Sequence, residues 1–244
     1  MNILTKIFLI FILLALVAIL FTLGSRILTP GTNNLDMETP GPAIENNGMH
    51  QLPQPNTDGT MSLEKALSQR RSVRSYTHES LSLSQLSQLL WAAQGITSER
   101  GFRTAPSAGA TFPLEMFVVA QNVSGLGKGI YHYHPHENQL ELLREADVSE
   151  ALFRACLSQS MILDAAAVLV FAAIFERTTN RYGERGERYV YNEIGHASQN
   201  VHLQVESLGL GTVVIGAYRD QEVEEVLELG EEYRVLYLMP VGKP

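Results

Sequence analysis

The distribution of apolar residues separates the N-terminal part of the chain from the rest. Residues 7–23, IFLIFILLALVAILFTL, carry no charge. Seventeen helical residues span about 26 Å, slightly less than a hydrocarbon core of roughly 30 Å. We predict a membrane anchor or signal segment over residues 1–26. We favour an uncleaved single-pass anchor in the lipid bilayer, because the run is longer than a usual signal-peptide core. The flanking charges do not fix which side of the membrane holds the rest of the chain.

Residues 27–60 differ in composition from the segments on either side. They contain five of the ten prolines and many Asn and Gly residues, in stretches such as TPGPAIENNG. Such a composition cannot bury enough apolar surface to order itself. We therefore predict a flexible tether over these residues, followed by one globular domain over residues 61–244.

Beyond the tether, the apolar positions follow helical and strand periods in turn. A helical repeat is clearest from Arg188 to Leu208, and Gly209 is expected to end that helix. The repeat predicts helices over residues 62–70, 82–95, 147–159, 188–208 and 220–229. Alternating or continuous apolar runs predict strands over residues 114–122, 166–176, 211–218 and 233–242, and a hairpin over 129–143. Helices and strands mix without strict alternation, which is typical of the α+β class.

Charge and cysteine content narrow the possible functions. The chain has 18 basic and 26 acidic residues, for a formal charge of -8. This balance argues against nucleic acid as a partner, since phosphate backbones require a basic surface. Cys156 is the only cysteine, so an intrachain disulfide is excluded. Its helical context predicts a small core residue and not a nucleophile.

Three arginines are concentrated in one short stretch of this acidic chain. The segment ALSQRRSVRSY contains Arg70, Arg71 and Arg74, with Ser72 between them. Guanidinium groups stay charged and offer forked donors that match phosphate, and a serine hydroxyl adds another donor. The alternative is a solvated helix end, where basic residues are favoured by the helix dipole.

Two stretches of small residues lie next to predicted strands. Residues 106–109, Pro-Ser-Ala-Gly, precede a strand and allow the backbone to approach a flat ligand closely. Residues 209–216 contain three glycines, but a strand follows them where a dinucleotide-binding fingerprint requires a helix.

Together and in this order, five segments resemble the nitroreductase-like FMN enzymes, specifically the SagB/ThcOx-type dehydrogenase branch. The segments are LSQRRSVRSY, LSQLLWAAQGI, RTAPSAGATFPLE, NEIGHASQNVHLQVESLGLGTVVIGAY and LYLMPVGKP. The resemblance covers the globular part. It implies a homodimer of α+β subunits, each with a mixed sheet flanked by helices, and FMN bound at the dimer interface.

The resemblance also assigns roles to individual residues. It implies that the FMN phosphate and ribityl chain are held by Arg70, Arg71, Ser72 and Arg74. The flavin is expected to lie along Pro106, Ser107, Ala108 and Gly109, and to face the backbone of Val214, Ile215 and Gly216, with Lys243 as a further cofactor ligand. NAD(P)H is a candidate electron donor by family, without a dinucleotide fingerprint to support it.

Arg181 and Tyr182 are the predicted catalytic residues. They stand where azoline-oxidising members of the branch have a Lys-Tyr pair, which is thought to remove a proton while the flavin accepts a hydride. A buried lysine can act as a base, whereas arginine cannot in practice. Tyr182 could still donate or accept a proton, and Arg181 could hold an anionic substrate. The alternative is that both are ordinary loop residues near the interface.

Two histidine motifs have competing interpretations. In YHYHPH, His132 and His134 share a strand face and His136 follows in the turn. Without an evident acidic or Cys fourth ligand nearby, we favour a polar surface hairpin and predict no metal site. In GHASQN, we favour a polar network in the core or dimer interface over a catalytic role for His196.

Two functions from different classes remain. The first is a membrane-tethered FMN oxidoreductase that transfers two electrons between a reduced donor and a small-molecule or peptide substrate. The second is a flavin-binding module without turnover, acting as a structural or redox-sensing partner.

Overall fold

The computed structural model describes residues 48–244. Within this part of the chain, no helix is long and apolar enough to cross a bilayer. This finding contradicts the predicted membrane localisation, and we withdraw it. The apolar run on which it rested, residues 7–23, lies outside the described residues, as does most of the predicted tether.

Helices and strands alternate irregularly along the described chain. The helices are α1 (Leu63–Gln69), α2 (Leu83–Gln94), α3 (Ser149–Ala155), α4 (Met161–Asp164), α5 (Glu176–Tyr182), α6 (Arg185–Leu208) and α7 (Asp220–Leu227). The strands are β1 (Met49–Gln51), β2 (Leu81–Ser82), β3 (Leu114–Ala120), β4 (Val123–Ser124), β5 (Gly129–His134), β6 (Gln139–Glu145), β7 (Ala167–Ala173), β8 (Gly211–Thr212) and β9 (Arg234–Gly242).

A seven-stranded sheet forms the centre of the domain. Its order is β1-β6-β5-β3-β7-β9-β8, and each neighbouring pair is antiparallel. A second, two-stranded sheet pairs β2 with β4 in parallel. Parallel and antiparallel pairing therefore both occur, but in separate sheets. The predicted α+β class is confirmed.

Side chains of β7 alternate between two apolar cores, one on each face of the sheet. Leu169 and Phe171 face the core that α2 and α6 cover. Val168 and Val170 face the core that α3 and α7 cover. Successive side chains of a strand point to opposite faces of the sheet. Because both faces are buried here, the strand is a continuous apolar run in the sequence.

Local sequence signals explain several helix ends. The Ser82 hydroxyl accepts a hydrogen bond from the Gln85 N–H, and the Gln85 side-chain oxygen accepts one from the Ser82 N–H, which completes a capping box at α2. Gly209 ends α6 in the left-handed conformation, as predicted. Helix α3 has no side-chain N-cap, although Asp147 Oδ1 accepts a hydrogen bond from the Ser149 N–H at its start.

Two segment predictions need correction. Met49–Gln51, assigned to the tether, forms an edge strand on β6, and the adjacent Leu52 is buried in the core. The ordered domain therefore extends back at least to residue 48. The strand predicted over residues 211–218 is limited to Gly211–Thr212, with an isolated bridge from Ile215 to Leu238.

Candidate functional site

The arginine-rich segment, residues 70–74, lies beside β8. Arg70 ends α1, and the segment continues into contact with the sheet edge through the Val73 N–H, which donates to the Thr212 carbonyl at 2.9 Å. The Arg71 N–H donates to Glu206 Oε1 at 3.1 Å. The backbone is thus held in place, while the side chains of Arg71, Ser72 and Arg74 are exposed.

The guanidinium groups of this segment have no carboxylate partner among residues 48–244. Arg71 Nη1 donates only to nearby main-chain carbonyls, including its neighbour Arg70 at 2.8 Å. The pKa of the buried His202 is lowered by burial and, to a smaller extent, by the Arg70 charge. Unpaired cations with a serine hydroxyl among them are a donor set that fits a phosphate group.

The backbone is unusual from the end of the Pro106–Gly109 loop through Phe112. Gly109, Ala110 and Phe112 all have positive φ, at 61°, 53° and 45°. Non-glycine residues pay a steric cost in this region and remain there only when the surroundings hold them. One restraint is the Ser107 hydroxyl, which accepts a hydrogen bond from the Phe112 N–H at 2.9 Å.

Side chains of helix α5 also contact the loop and the residues that follow it. Arg181 Nη1 donates to the Gly109 carbonyl at 2.8 Å, and the Thr111 and Thr178 hydroxyls are 2.8 Å apart. A side chain at Gly109 would collide with the Tyr182 hydroxyl. The structure therefore brings the predicted cofactor loop together with the predicted catalytic pair, Arg181 and Tyr182.

A buried polar cluster adjoins this loop. Arg103 Nη1 donates to Gln94 Oε1 at 3.2 Å, and Glu193 of α6 is only 2% exposed. Burial raises the pKa of Glu193 to about 7, against the opposing effects of the Ser107 hydroxyl and the Arg103 charge. Gln94 Nε2, Arg103 Nε and Glu193 Oε1 have no hydrogen-bond partner in the described chain. The cluster therefore has unused donors and an unused acceptor.

The sequence did not predict this cluster, and it pointed instead to other polar residues of α6. His196 and Gln199 are exposed, and Asn200 Nδ2 makes one long hydrogen bond to the Thr104 carbonyl at 3.4 Å. These residues form no polar network in the core of the described chain, and a network at a dimer interface stays a prediction. The signal for Glu193 was its place three residues after Val190, on the apolar stripe of the helix.

The main-chain N–H groups of Val214, Ile215 and Gly216 are not equally available to bind a flavin ring. Ile215 is buried, and its N–H and carbonyl are both bonded to Leu238, at 2.8 and 3.0 Å. The Ile215 N–H is therefore already engaged within the protein, and the contact of this stretch with the flavin ring stays a prediction. Within the described residues, the N–H groups of Val214 and Gly216 have no protein acceptor and could serve that purpose.

Lys243 and Cys156 are both engaged elsewhere. The Lys243 ammonium forms an ion pair with Glu79, and its carbonyl accepts from the Thr77 N–H at 2.8 Å. A cofactor contact by Lys243 would have to compete with Glu79. Cys156 is buried in the core, and burial raises the pKa of its thiol to about 12, which fits a packing role.

The predicted hairpin over residues 129–143 is present as β5 and β6. The sequence suggested no acidic residue near its histidines, and the structure corrects this. His132 Nε2 lies 2.9 Å from Glu115 Oε2, and His134 Nε2 lies 2.8 Å from Glu141 Oε2.

Comparisons with known proteins agree with this fold. A protein of Methanocaldococcus jannaschii, whose name assigns it to the nitroreductases, is 49% identical over 181 residues, covering 74% of this chain and 90% of that protein. The crystal structure of a protein from Ralstonia eutropha, also titled as a nitroreductase, has a TM-score of 0.70 and 30% identity. That match covers 80% of this chain and 89% of the other.

A third relative is named for peptide processing. The microcin B17-processing protein McbC of Escherichia coli is 29% identical over 135 residues, covering 53% of this chain and 49% of its own length. This relative supports the SagB-type resemblance that the five sequence segments carry. The model of the Nitroreductase family matches residues 67–243. The chain belongs to the nitroreductase family.

Proposed function

We propose that this chain is an FMN-dependent oxidoreductase that transfers two electrons between a reduced donor and a small-molecule or peptide substrate. The family consists generally of FMN-dependent oxidoreductases. The observation that carries the proposal is the contact of Arg181 and Tyr182 with Gly109, which adjoins the strained residues Ala110 and Phe112. Backbone strain of this kind clusters at ligand sites, where it positions groups in advance.

The residues present fit FMN by the chemistry of their donors. Arg70, Arg71 and Arg74 are cations without acidic partners in the described chain, and Ser72 is exposed between them. In our proposal these four side chains bind the FMN phosphate and ribityl chain. The phosphate is then the anion that explains a cationic cluster in an acidic protein.

Other residues are assigned to the flavin ring and the substrate. Bound FMN supplies the two-electron chemistry, and the protein orients it and tunes it through nearby hydrogen bonds. The Pro106–Gly109 loop lies along the ring in this proposal, and Val214 and Gly216 offer backbone N–H groups. Arg181 fixes the loop through the Gly109 carbonyl and binds an anionic part of the substrate. The Tyr182 hydroxyl donates or accepts the substrate proton.

A turnover experiment separates this proposal from a flavin-binding module without activity. FMN-loaded protein should lose its visible flavin absorbance when NADH or NADPH is added without oxygen, and regain it with a quinone or nitroaromatic acceptor. Tyr182→Phe should retain FMN but turn over roughly 100-fold more slowly. This factor is at the lower end of the rate effects seen when a proton-transfer group is lost.

Tyr189→Phe is the matched control for that experiment. The Tyr189 ring packs edge-on against Tyr182 at 5.1 Å, but its hydroxyl bonds to Arg185 and not to the loop. This variant should turn over like wild type. If bound FMN is reduced by neither nucleotide and by no other two-electron donor, the binding-module alternative takes precedence.

A homodimer is part of the proposal. Leu63 and Leu67 lie one turn apart on α1 and are 60% and 53% exposed, and Phe102 is 51% exposed. A second copy of the chain is the partner that the family favours for these apolar side chains. Sedimentation of the FMN-loaded protein tests this, since a flavin-loaded monomer would contradict a cofactor site shared between subunits.

Arg181 stands where azoline-oxidising members of the branch have a lysine, and this difference leads to a prediction about the substrate. Arginine stays protonated, so it cannot remove a proton from an azoline as a buried lysine can. We expect wild-type, FMN-loaded protein to be an inefficient azoline dehydrogenase, and azole formation by Arg181→Lys but not by the wild type would support this expectation. The measurement is mass spectrometry of azoline-bearing peptides after incubation. Rapid azole formation by the wild type would refute this prediction.

A further inference from the structure

The geometry points to a divalent transition-metal site on the outer part of the sheet, formed by His132, His134 and Glu141, with Glu115 as a supporting carboxylate. The ligand atoms of His132, His134 and Glu141 all lie within 4.8 Å of one another. Bonds from Zn²⁺ to nitrogen and oxygen are about 2.0–2.2 Å long, so side-chain rotations that bring these atoms closer together would let one ion contact all three.

The strand pairing explains why these side chains meet. His132 and His134 are two residues apart on β5, so they share one face of the sheet. His132 is directly opposite Glu141 of β6 and Phe117 of β3. The three side chains are thus placed by main-chain register and not by the chance conformation of a loop.

Glu115 and its neighbours hold His132 in place. Glu115 Oε2 accepts from His132 at 2.9 Å, while its Oε1 pairs with Arg177 Nη1 at 2.6 Å. The His132 ring also stacks on Phe117, with ring centroids 4.5 Å apart. Because both oxygens of Glu115 are engaged, we assign it the role of the outer carboxylate that commonly orients a metal-binding histidine.

Exposure and ligand type indicate the class of ion. The His132 side chain is 15% exposed, whereas those of His134 and Glu141 are 31% and 42% exposed, so the site has a protected side and an open side. Two imidazoles and a carboxylate suit Zn²⁺ and similar borderline cations better than Mg²⁺ or Ca²⁺, which prefer oxygen ligands alone. With three protein ligands, a fourth position remains for water or a further ligand.

The test uses the untagged full chain and Zn²⁺ alone. After dialysis against zinc and then buffer, elemental analysis should find stoichiometric zinc in the wild type. His132→Ala, His134→Ala and Glu141→Ala should each lose it. Glu115→Gln should retain the site with an affinity weakened by roughly 10–100-fold, as for loss of an outer-shell partner. Titration calorimetry gives that ratio.

The turn of the same hairpin offers matched controls. His136 and Glu137 are exposed and lie outside the cluster, so His136→Ala and Glu137→Ala should bind zinc like wild type. His134→Gln is a milder variant that keeps the test decisive if an alanine variant does not fold, because its side chain is partly exposed. Zinc should also raise the melting temperature of the wild type but not that of His134→Gln.

Two results would overturn the site. One is a wild-type chain that retains no zinc and shows no heat of binding. The other is an equal loss of zinc in the turn variants and the strand variants, which would mean weak binding to surface histidines in general.

Discussion

The double variant Arg70→Ala/Arg74→Ala should bind FMN two to four powers of ten more weakly than the wild type. A lost hydrogen bond to a charged group costs about 1.5–3 kcal/mol, and two side chains are removed. Riboflavin has no phosphate, so its affinity should change little. The measurement is flavin fluorescence titration of the apoprotein with each ligand.

A matched control for this variant is Arg154→Ala. Arg154 is an exposed arginine in the last turn of α3, as Arg70 is an arginine at the end of α1. It should leave the affinities for both flavins unchanged. An equal loss of FMN and riboflavin in the double variant would contradict phosphate binding and indicate a folding role for these arginines.

Glu193→Gln should make the flavin-free protein more stable above neutral pH. The pKa of Glu193 is raised from 4.5 to about 7 by burial, so ionising it in the folded state is unfavourable. The folded state then holds this proton more tightly than the unfolded state. The resulting stability is complete below pH 4.5 and is lost as pH rises through about 7. The shift corresponds to roughly 3 kcal/mol at most.

Urea denaturation between pH 4 and pH 8 measures this effect. The variant and the wild type should be similar at the acidic end, and the variant should be more stable at the alkaline end. Arg103 is the charged group facing Glu193, and it remains protonated over this range, so it adds no titration of its own. Glu187→Gln, on the exposed side of α6, should show no such trend. A difference that does not vary with pH would contradict the account.

Local patterns were sufficient for much of the fold. Helices such as α2 and α6 and the buried strand β7 follow from periodicity and end signals that act within a few residues. Edge strand β1 was missed because its pairing with β6 is a long-range contact, hidden in a Pro- and Asn-rich segment. Strand β8 is shorter than predicted because its ladder with β9 is interrupted after Thr212, where the partner strand has Pro240, which has no N–H to donate. The pairing resumes in the same register at Ile215 and Leu238.

The candidate site could be predicted only in part from the sequence, because part of it is formed by long-range contacts. The arginine segment and the Pro106–Gly109 loop are local motifs, so their residues could be named individually. The contact of the loop with Arg181, 72 residues after Gly109, depends on how α5 packs. Glu193 and Glu115 acquire their importance from neighbours distant in sequence, and no single-segment pattern reports such neighbours.

The central claim is that this chain binds FMN, and the visible absorption spectrum of the purified full chain tests it most directly. Mass analysis of any ligand released on denaturation identifies the flavin. The account predicts a flavin spectrum with stoichiometric FMN, or uptake of added FMN to that level by the apoprotein. A colourless protein that takes up no added FMN would contradict it.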